Sequence, residues 1–335
     1  MNAIRKKIDL DNQMWSCALA QNHNLILLGG TNKIWAFDLT TSECLWSINV
    51  GGNARSMNVD PTSSMLLVGM SQVEILIIDL LTKSVVKKIR KFRGWVNCIE
   101  YSKKHQKILA AGDLGGVVCI TSGKKPIAKK VKKMNCWASK ISSDQNLVYV
   151  GGEETYMLVV NMENSSISKT IDFEKFHSSL LDKTLIGLYA ISFEEEQGRA
   201  ILGWNRYVTV FDEGFTSLLL SIDIIGDFVN YIVNFPKQDF FIYGTTQKST
   251  CVCSTDALYN YSLENDDESK SRAAVISNDG KLHTVGWSSS YRIFTINTAV
   301  MNSSKFPSTL LFRNTNRRNF IISNNRQRKS FTFSI

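Results

Sequence analysis

The sequence predicts an all-β fold, because short apolar segments of strand-like composition recur along it at a nearly constant spacing. Seven segments end in a residue pair whose second member is acidic or small and polar, and these pairs lie 41, 42, 40, 51, 42 and 43 residues apart. The pairs are Phe37-Asp38, Ile78-Asp79, Ile120-Thr121, Val160-Asn161, Phe211-Asp212, Cys253-Ser254 and Ile296-Asn297. A glycine-bearing apolar stretch precedes each segment, so the chain contains seven copies of one unit, numbered here 1 to 7.

Each copy is predicted to form four strands and almost no helix. The segments are rich in Val, Ile, Phe and Tyr and are separated by turn formers such as Asp-Pro and Asn-Asp-Gly. A period of about 40–45 residues with four strands is typical of propeller blades. One four-stranded sheet cannot cover both of its faces, whereas a closed ring of sheets covers nearly all of them. The sequence therefore predicts a seven-bladed β-propeller over residues 1–299, followed by a basic C-terminal extension over residues 300–335.

Closure of the ring requires a strand from outside the seventh copy, which shows three strands over residues 272–299. The candidates are "AIRKKIDL" (3–10) at the N-terminus and "STLLFR" (308–313) in the extension. We favour the N-terminal strand, because its pairing into the last blade closes the ring without free edges. The segment in the extension remains the alternative.

Several turns and strand starts resemble the WD-repeat family. "ISNDGKLHTVG" (276–286) and "VDPTSSMLLVG" (59–69) are similar to its turn between the first two strands of a blade, and "RGWVNCIEYS" (93–102) resembles the start of its innermost strand. "IWAFDL" stands where a Trp-Asp dipeptide would end the third strand. The chain contains no Trp-Asp and no Gly-His dipeptide, so the resemblance, over about residues 1–299, implies the fold without most of the Asp-His-Ser/Thr-Trp hydrogen bonds of such blades.

Three tryptophans, Trp15, Trp95 and Trp137, are predicted to share one repeat position at the start of the innermost strand of copies 1, 3 and 4. The resemblance implies that this position opens on the narrow face near the central channel, where partners of such propellers commonly bind. Tryptophan is also enriched among the residues that dominate binding energy at interfaces. The alternative is that each indole packs between neighbouring blades.

Positive charge is concentrated in two zones, although the whole chain carries only +9. Residues 83–133 hold 15 Lys or Arg and two acids, residues 300–335 hold seven bases and no acid, and the rest of the chain sums to −11. The strings "KKIRKF" (87–92) and "KKVKKM" (129–134) are predicted to be the outermost strands of copies 2 and 3, and "IRKKI" (4–8) that of copy 7. The candidate binding residues are Lys87, Lys88, Arg90, Lys91, Lys129, Lys130, Lys132 and Lys133, with Arg317 and Arg318 in the extension.

Two interpretations of the basic strands stay open. Lysines on an edge strand prevent edge-to-edge aggregation, and this accounts easily for one such strand. A positive rim could instead bind an acidic protein surface, RNA phosphates or anionic lipid. Lipid is the least favoured of these, because "KFRG" (91–94) is not the double-arginine motif of lipid-binding propellers. The extension is too apolar for a simple solvated tail, so we expect part of it to pack on the acidic body and its bases to be open to a partner.

The 51-residue spacing reveals an insertion between copies 4 and 5, within "DFEKFHSSLLDKTL" (172–185). Its apolar residues, Phe173, Phe176, Leu180 and Leu181, are spaced as on one side of a short helix. Long loops on rigid scaffolds often carry function, although this segment could also cap a blade edge.

Motifs for catalysis, cofactors or metals are lacking in the sequence. It contains no P-loop, no Gly-x-Ser-x-Gly and no His-Glu-x-x-His, and Cys251-x-Cys253 lacks a second Cys/His pair at zinc spacing. The seven cysteines are expected to be free, buried thiols, and no signal peptide or membrane-spanning run is found, so a cytoplasmic or nuclear location is expected. The sequence predicts a non-enzymatic scaffold, without cofactor or small-molecule substrate, that binds one or more proteins with acidic surfaces. The alternative is a propeller subunit of an RNA-protein particle.

Overall fold

The computed structural model describes residues 5–60, 64–121, 126–179, 187–224, 227–235, 238, 240–246, 250–254, 260–263, 271–286 and 289–295. Over these described residues the chain forms 26 strands and three short 3-10 helices, Gln21–His23, Glu174–Ser179 and Glu195–Gln197. The prediction of an all-β fold is confirmed for these residues.

The N-terminal strand is β1 (Arg5–Asp9). Copies 1 and 2 contribute β2 (Met14–Ala20), β3 (Leu25–Asp38), β4 (Cys44–Val59), β5 (Met65–Met70), β6 (Ile75–Asp79) and β7 (Ser84–Ile89). Copy 3 contributes β8 (Val96–Ser102), β9 (Lys107–Gly112), β10 (Gly116–Thr121) and β11 (Ala128–Lys132). Copy 4 contributes β12 (Cys136–Ile141), β13 (Leu147–Gly152), β14 (Tyr156–Asn161) and β15 (Ser166–Asp172).

The second half of the ring follows the same plan. Copy 5 contributes β16 (Leu188–Glu194), β17 (Arg199–Trp204), β18 (Tyr207–Asp212) and β19 (Leu218–Asp223). Copy 6 contributes β20 (Val229–Asn234), β21 (Phe240–Thr245), β22 (Cys251–Ser254) and β23 (Asn260–Ser262). Copy 7 contributes β24 (Ser271–Ile276), β25 (Lys281–Gly286) and β26 (Ser290–Thr295).

Six hydrogen-bonded sheets are present among the described residues, so the prediction of seven separate blades is wrong. Five sheets have four antiparallel strands, as predicted, but copies 1 and 2 form one six-stranded sheet in the order β2-β3-β4-β5-β6-β7. The strand β4 is shared: its residues from Cys44 to Asn49, and Asn53, pair with β3, and those from Ala54 to Val59 pair with β5. No loop separates these two parts, because Gly51, at a φ of +73°, and Gly52 carry the chain directly from the rim to the channel.

Seven inner strands nevertheless surround the central channel, one from each copy. They are β2, the part of β4 from Ala54 to Val59, β8, β12, β16, β20 and β24, and each contacts the next, with β24 contacting β2. Copy 7 takes its fourth strand from the N-terminus, since β1 pairs with β26 from Arg5 opposite Phe294 to Asp9 opposite Ser290. The competing segment, residues 308–313, lies outside the described residues.

Among the described residues the core consists of seven apolar clusters, each between two successive copies. Leu27 of copy 1 and Val68 of copy 2 are fully buried in one cluster, while Leu28 of copy 1 and Tyr291 of copy 7 are fully buried in another. Because each copy has a neighbour on both sides, its strands are apolar on both faces, and this explains the near-continuous apolar runs of the sequence.

The insertion between copies 4 and 5 belongs partly to this core. Phe173 and Phe176, at the 3-10 helix Glu174–Ser179, are buried, with the Phe173 ring centroid 5.1 Å from that of Trp204 and the Phe176 centroid 4.9 Å from that of Phe211. These two phenylalanines therefore support the interpretation that the segment covers a blade. Leu180 and Leu181 lie outside the described residues.

Within the part of the chain that the structure describes, no helix is long and apolar enough to cross a membrane.

Candidate functional site

A β-bulge interrupts each inner strand close to its start. In β2, for example, Met14 pairs with Gly30 and Ser16 with Gly29, so Trp15 is left outside the ladder. The same one-residue shift recurs in all seven copies and leaves out Trp15, Arg55, Asn97, Trp137, Tyr189, Asn230 and Arg272. A bulge redirects the side chain of the extra residue, and bulges are common beside functional sites. We call these seven residues the mouth ring.

All seven residues of the mouth ring line a central cavity of about 430 Å³. The ring contains two tryptophans, one tyrosine, two arginines and two asparagines, and all seven side chains are half-buried. It contains no carboxylate and no aliphatic side chain. The cavity opening therefore presents aromatic faces and hydrogen-bond donors rather than negative charge.

One arc of the mouth is cationic. The Arg55 guanidinium lies over the indole of Trp15, with Cζ 4.8 Å from the ring centroid, and over that of Trp95 at 4.6 Å. Arg272 also lies over Trp15, with its Cζ 5.5 Å from the centroid. These are the distances of cation–π interactions, so the indoles hold both guanidinium groups in place.

Asn97 fixes the orientation of Arg55. Nε and Nη2 of Arg55 donate to Oδ1 of Asn97 at 3.2 and 3.0 Å, while Nδ2 of Asn97 donates to Oδ1 of Asp113 and to the Cys136 carbonyl, both at 3.0 Å. Among the described residues Arg55 forms no direct ion pair with a carboxylate. Asp113 thus positions the guanidinium through an amide and does not neutralise it by direct contact.

The electrostatic cost of this arrangement is visible in the pKa values of the two arginines. Burial lowers the pKa of Arg55, and the nearby Asp113 opposes that shift. Burial, reinforced by the positive charge of Arg55, lowers the pKa of Arg272 to about 10. Both side chains remain cationic at neutral pH, but each would be stabilised by an anion brought close to it.

The opposite arc is aromatic. Trp137 and Tyr189 are stacked, with centroids 4.7 Å apart and planes 9° apart, and Tyr189 packs edge-on against Phe228 at 5.4 Å. Gly187 lies beside this stack at a φ of +71°, and a Cβ there would come within 2.8 Å of the Tyr189 ring. Phe228 is 40% exposed.

The predicted equivalence of the three tryptophans is wrong for Trp95. Trp15 and Trp137 occupy the bulge position, but in copy 3 this position belongs to Asn97, and Trp95 lies two residues earlier. Trp95 is the counterpart of Phe228 in copy 6, and it is 48% exposed. It still joins the site, through its contact with Arg55. None of the three indoles is buried in the core between copies.

Several mouth residues were missed by the sequence analysis, namely Arg55, Asn97, Tyr189, Phe228, Asn230 and Arg272. All of these except Phe228 occupy one position of the repeat. The bulge residue directly follows the first residue of the inner strand, and in β4 it directly follows Ala54. An alignment of the seven copies at that position identifies the bulge residues. The positions of the tryptophans alone do not identify them.

Deeper in the cavity wall lies a buried carboxylate, Glu100. Ser139 Oγ donates to its Oε1 at 3.0 Å and Asn58 Nδ2 to its Oε2 at 3.2 Å. Burial raises its pKa, and Lys140 opposes the shift. Its partners come from copies 2 and 4, so Glu100 joins three neighbouring inner strands.

The basic strands lie at the periphery. Strands β7 and β11 are the outermost strands of copies 2 and 3, as predicted, and β1 is that of copy 7. Their basic residues are largely exposed: Lys88, Arg90, Lys91, Lys129, Lys130, Lys132 and Lys133 are exposed and Lys87 is half-buried. We call these eight residues the basic rim. Arg317 and Arg318, in the predicted extension, lie outside the described residues.

Three residues of the basic rim contact groups of the same copy or of the next copy. Arg90 pairs with Glu74, with Nε 3.0 Å from Oε2, Lys129 Nζ donates to the Asn164 carbonyl at 3.0 Å, and Lys132 Nζ lies 5.3 Å from the Tyr156 ring centroid. The structure thus places the rim and the mouth ring in different parts of the propeller, at its outer edge and around its axis.

All seven cysteines are free, as predicted, although Cys44 is exposed and Cys251 half-buried. Burial raises the pKa of Cys17 and of Cys136 to about 12, so neither is a reactive thiolate at neutral pH. No group of three or more metal-binding side chains occurs among the described residues.

Comparison with known proteins identifies the fold of this chain and no family. No protein-family model and no curated protein matches the chain. Among solved structures, a chain of the "Crystal Structure of Mitotic Checkpoint Complex" is similar over 87% of this chain and 91% of its own length, with a TM-score of 0.70 and 11% sequence identity. At this low sequence identity the similarity is evidence for a shared fold only. The shared fold agrees with the closed ring of sheets described above. The chain therefore has a β-propeller fold.

Proposed function

We propose that the protein is a non-enzymatic scaffold that binds one or more protein partners at the mouth ring, with the basic rim assisting. The observation that carries this proposal is the composition of the ring at a single structural position. Five of its seven residues are Trp, Tyr or Arg, the residue types most enriched among those that dominate interface energies.

Preorganisation supports the same proposal. The ring residues project from rigid strands, and stacking and hydrogen bonds already hold Arg55, Trp137 and Tyr189 before any partner arrives. Side chains that are ordered in advance lose less conformational entropy on binding, so more of their contact energy becomes affinity. Trp95 and Phe228 add exposed aromatic area beside the ring.

The basic rim suggests the charge of the partner. Its largely solvated cations would speed association with an acidic protein surface without contributing much affinity at physiological salt. The free cysteines fit a reducing compartment, which supports the expectation of a cytoplasmic or nuclear scaffold.

The test is affinity capture of the full-length protein from cells, followed by purification of the captured partner and measurement of its Kd. The double substitution Trp95→Ala with Phe228→Ala is expected to raise Kd by about a hundredfold, because it removes two exposed aromatic contacts. The matched control is Leu45→Ala with Val86→Ala, which removes two side chains of similar exposure, 52% and 51%, from outer strands. The proposal fails if the aromatic pair leaves Kd unchanged or if the control pair weakens binding equally.

A subunit of an RNA-protein particle is the second candidate, and the basic rim is the observation that favours it. Lys129, Lys130, Lys132 and Lys133 place four cations along one exposed strand and its end. Phosphate binding of this kind weakens steeply as salt rises. Retention of the protein on immobilised RNA at about 150 mM salt, lost in the Lys→Gln variants of these residues, would favour this candidate over a protein scaffold.

A further inference from the structure

We propose that the mouth ring recognises an acidic segment of the partner protein, with a carboxylate bound by Arg55 and Arg272 and a neighbouring apolar side chain packed against Trp137, Tyr189 and Phe228. This inference rests on the proposed function and adds the chemistry of the ligand.

The cationic arc of the mouth indicates an anionic ligand. Two guanidinium groups face the same cavity and both contact Trp15, so they lie close enough for their positive charges to disfavour one another. The ring itself supplies no carboxylate, and the nearest orienting acid, Asp113, contacts Arg55 only through Asn97. A pair of half-buried like charges is costly, and a bound anion removes much of that cost.

The geometry of Arg55 indicates a carboxylate. Its Nε and Nη2 donate to Asn97, which leaves the N–H groups on Nη1 without a hydrogen-bond acceptor among the described residues. The guanidinium fork matches planar oxyanions, and its hydrogen bonds to them are roughly twice as strong as neutral ones. A cavity with low-dielectric aromatic walls strengthens this attraction further.

The aromatic arc of the mouth indicates an apolar side chain beside the bound carboxylate. Trp137, Tyr189 and Phe228 form one continuous aromatic cluster on the side opposite Arg55, and Phe228 extends it to solvent. The cavity volume of about 430 Å³ suits one or two side chains rather than a folded element. A single extended segment that carries an acid and an apolar residue would therefore satisfy both arcs at once.

The experiment is selection of a random twelve-residue peptide library on the immobilised full-length protein. Wild-type protein is expected to enrich peptides with at least one Asp or Glu close to an aromatic or aliphatic residue. The variant with Arg55→Gln and Arg272→Gln is expected to lose the acidic enrichment and to bind the selected peptides at least thirtyfold more weakly. Melting curves establish that this variant is folded.

The matched control is Lys103→Gln with Lys169→Gln, which removes the same net charge from exposed positions outside both the mouth ring and the basic rim. It is expected to leave peptide affinity within about twofold at 150 mM salt. Replacement of the acid by its amide in a selected peptide should weaken binding as much as the arginine variant does, and the two changes should not add, because they remove one interaction. Enrichment without acids, no enrichment, or full additivity would overturn the proposal. Binding more than tenfold tighter with phosphoserine in place of the acid would assign the arginines to phosphate and overturn the carboxylate assignment.

The outcomes separate this inference from the proposed function. If Trp95→Ala with Phe228→Ala abolishes partner binding but the arginine variant does not, the scaffold stands and the acidic-segment inference fails. If neither variant affects the captured partner, the mouth is not its binding site and both proposals fail.

Discussion

The mouth ring and the basic rim both carry positive charge, but they hold it in opposite ways. At the mouth, Arg55 and Arg272 are half-buried and lie over Trp15, and the positive charge of Arg55 disfavours that of Arg272. At the rim, lysines such as Lys88 and Lys130 stand exposed on outermost strands. Burial of the two arginines at the mouth has a desolvation cost in free energy. The exposed lysines of the rim have little such cost, and salt screens their charges.

The physical setting of a basic residue in a repeat protein indicates whether it serves binding or protects an edge strand. A solvated lysine on an edge strand is sufficiently explained by protection against edge-to-edge pairing. A half-buried arginine at a bulge, held by indoles and an amide, has no such structural explanation, because a neutral residue would fold at lower cost. The number of basic residues alone would therefore place the binding site at the rim. Their burial and contacts instead indicate that the binding site is at the mouth ring.

The largest effect is expected for Trp95→Ala. Loss of this exposed indole should raise the partner's Kd by about thirtyfold, equivalent to about 2 kcal/mol, and leave the melting temperature nearly unchanged. By contrast, Phe173→Ala removes a fully buried ring and should lower the free energy of unfolding by about 3–5 kcal/mol. Melting curves and binding titrations on both variants check the pair. A large loss of stability in Trp95→Ala would instead make this residue part of the core.

Deletion of residues 303–335 should have the next largest effect. It removes seven bases and is expected to weaken binding of an acidic partner by about tenfold at 150 mM salt. The propeller should stay folded, because β1 supplies the fourth strand of copy 7. Circular dichroism and a binding titration on the truncated protein check both statements. Loss of the folded state would show that the propeller needs the extension.

Removal of charge from the rim should matter less. The variant with Lys129, Lys130, Lys132 and Lys133 changed to Gln is expected to weaken partner binding by about threefold at 150 mM salt and not at all near 1 M salt. Most of the effect of Trp95→Ala should persist at high salt, because salt does not screen the apolar contact of the partner with an uncharged indole. Titrations at the two salt concentrations make the comparison. A rim effect that exceeds the effect of Trp95→Ala would reverse our ranking of the two regions.

The smallest effect is expected in stability, from Arg272→Met. The folded pKa of Arg272, about 10, lies below its ordinary 12.5, so the charged form disfavours folding at pH 7, and wild-type stability should rise as pH increases from about 10 to 12.5. Met keeps an apolar contact with Trp15 and removes the charge, so the melting temperature at pH 7 should rise by about 1–3 °C. Arg199→Met serves as the control, because the Arg199 guanidinium lies 3.9 Å from Glu194 and its removal should not stabilise. A lower melting temperature for Arg272→Met would contradict this view of the mouth.

The fold could be predicted from the sequence because every copy buries both faces. Apolar runs such as that of β3, interrupted by glycine and turn residues, repeat at a spacing that is typical of four-stranded propeller blades. The outermost position of β7 and β11 followed from the same register. The fusion of copies 1 and 2 could not be predicted, because it depends on the backbone at Gly51 and Gly52, where the chain passes from rim to channel without a loop.

The candidate site was harder to predict than the fold. A bulge shifts the register by one residue, and the apolar pattern of the strand is almost the same with or without it. Trp95 was therefore aligned with Trp15 and Trp137 although it lies two residues before the equivalent position, and Arg55 and Arg272 were not recognised as members of the site. Contacts between copies, such as Arg55 with Asn97, become visible only when the ring is closed.

Site-specific photocrosslinking locates the bound partner on the propeller. A benzophenone-bearing phenylalanine is introduced at position 228, beside the mouth ring, or at position 86, on β7, where Phe228 and Val86 are both exposed. The captured partner is then irradiated in complex with each form of the full-length protein. We expect a strong crosslink from position 228 that disappears in the variant with Arg55→Gln and Arg272→Gln, and at most a weak one from position 86. A partner that crosslinks from position 86 and not from position 228 would contradict the claim that the mouth ring is the binding site.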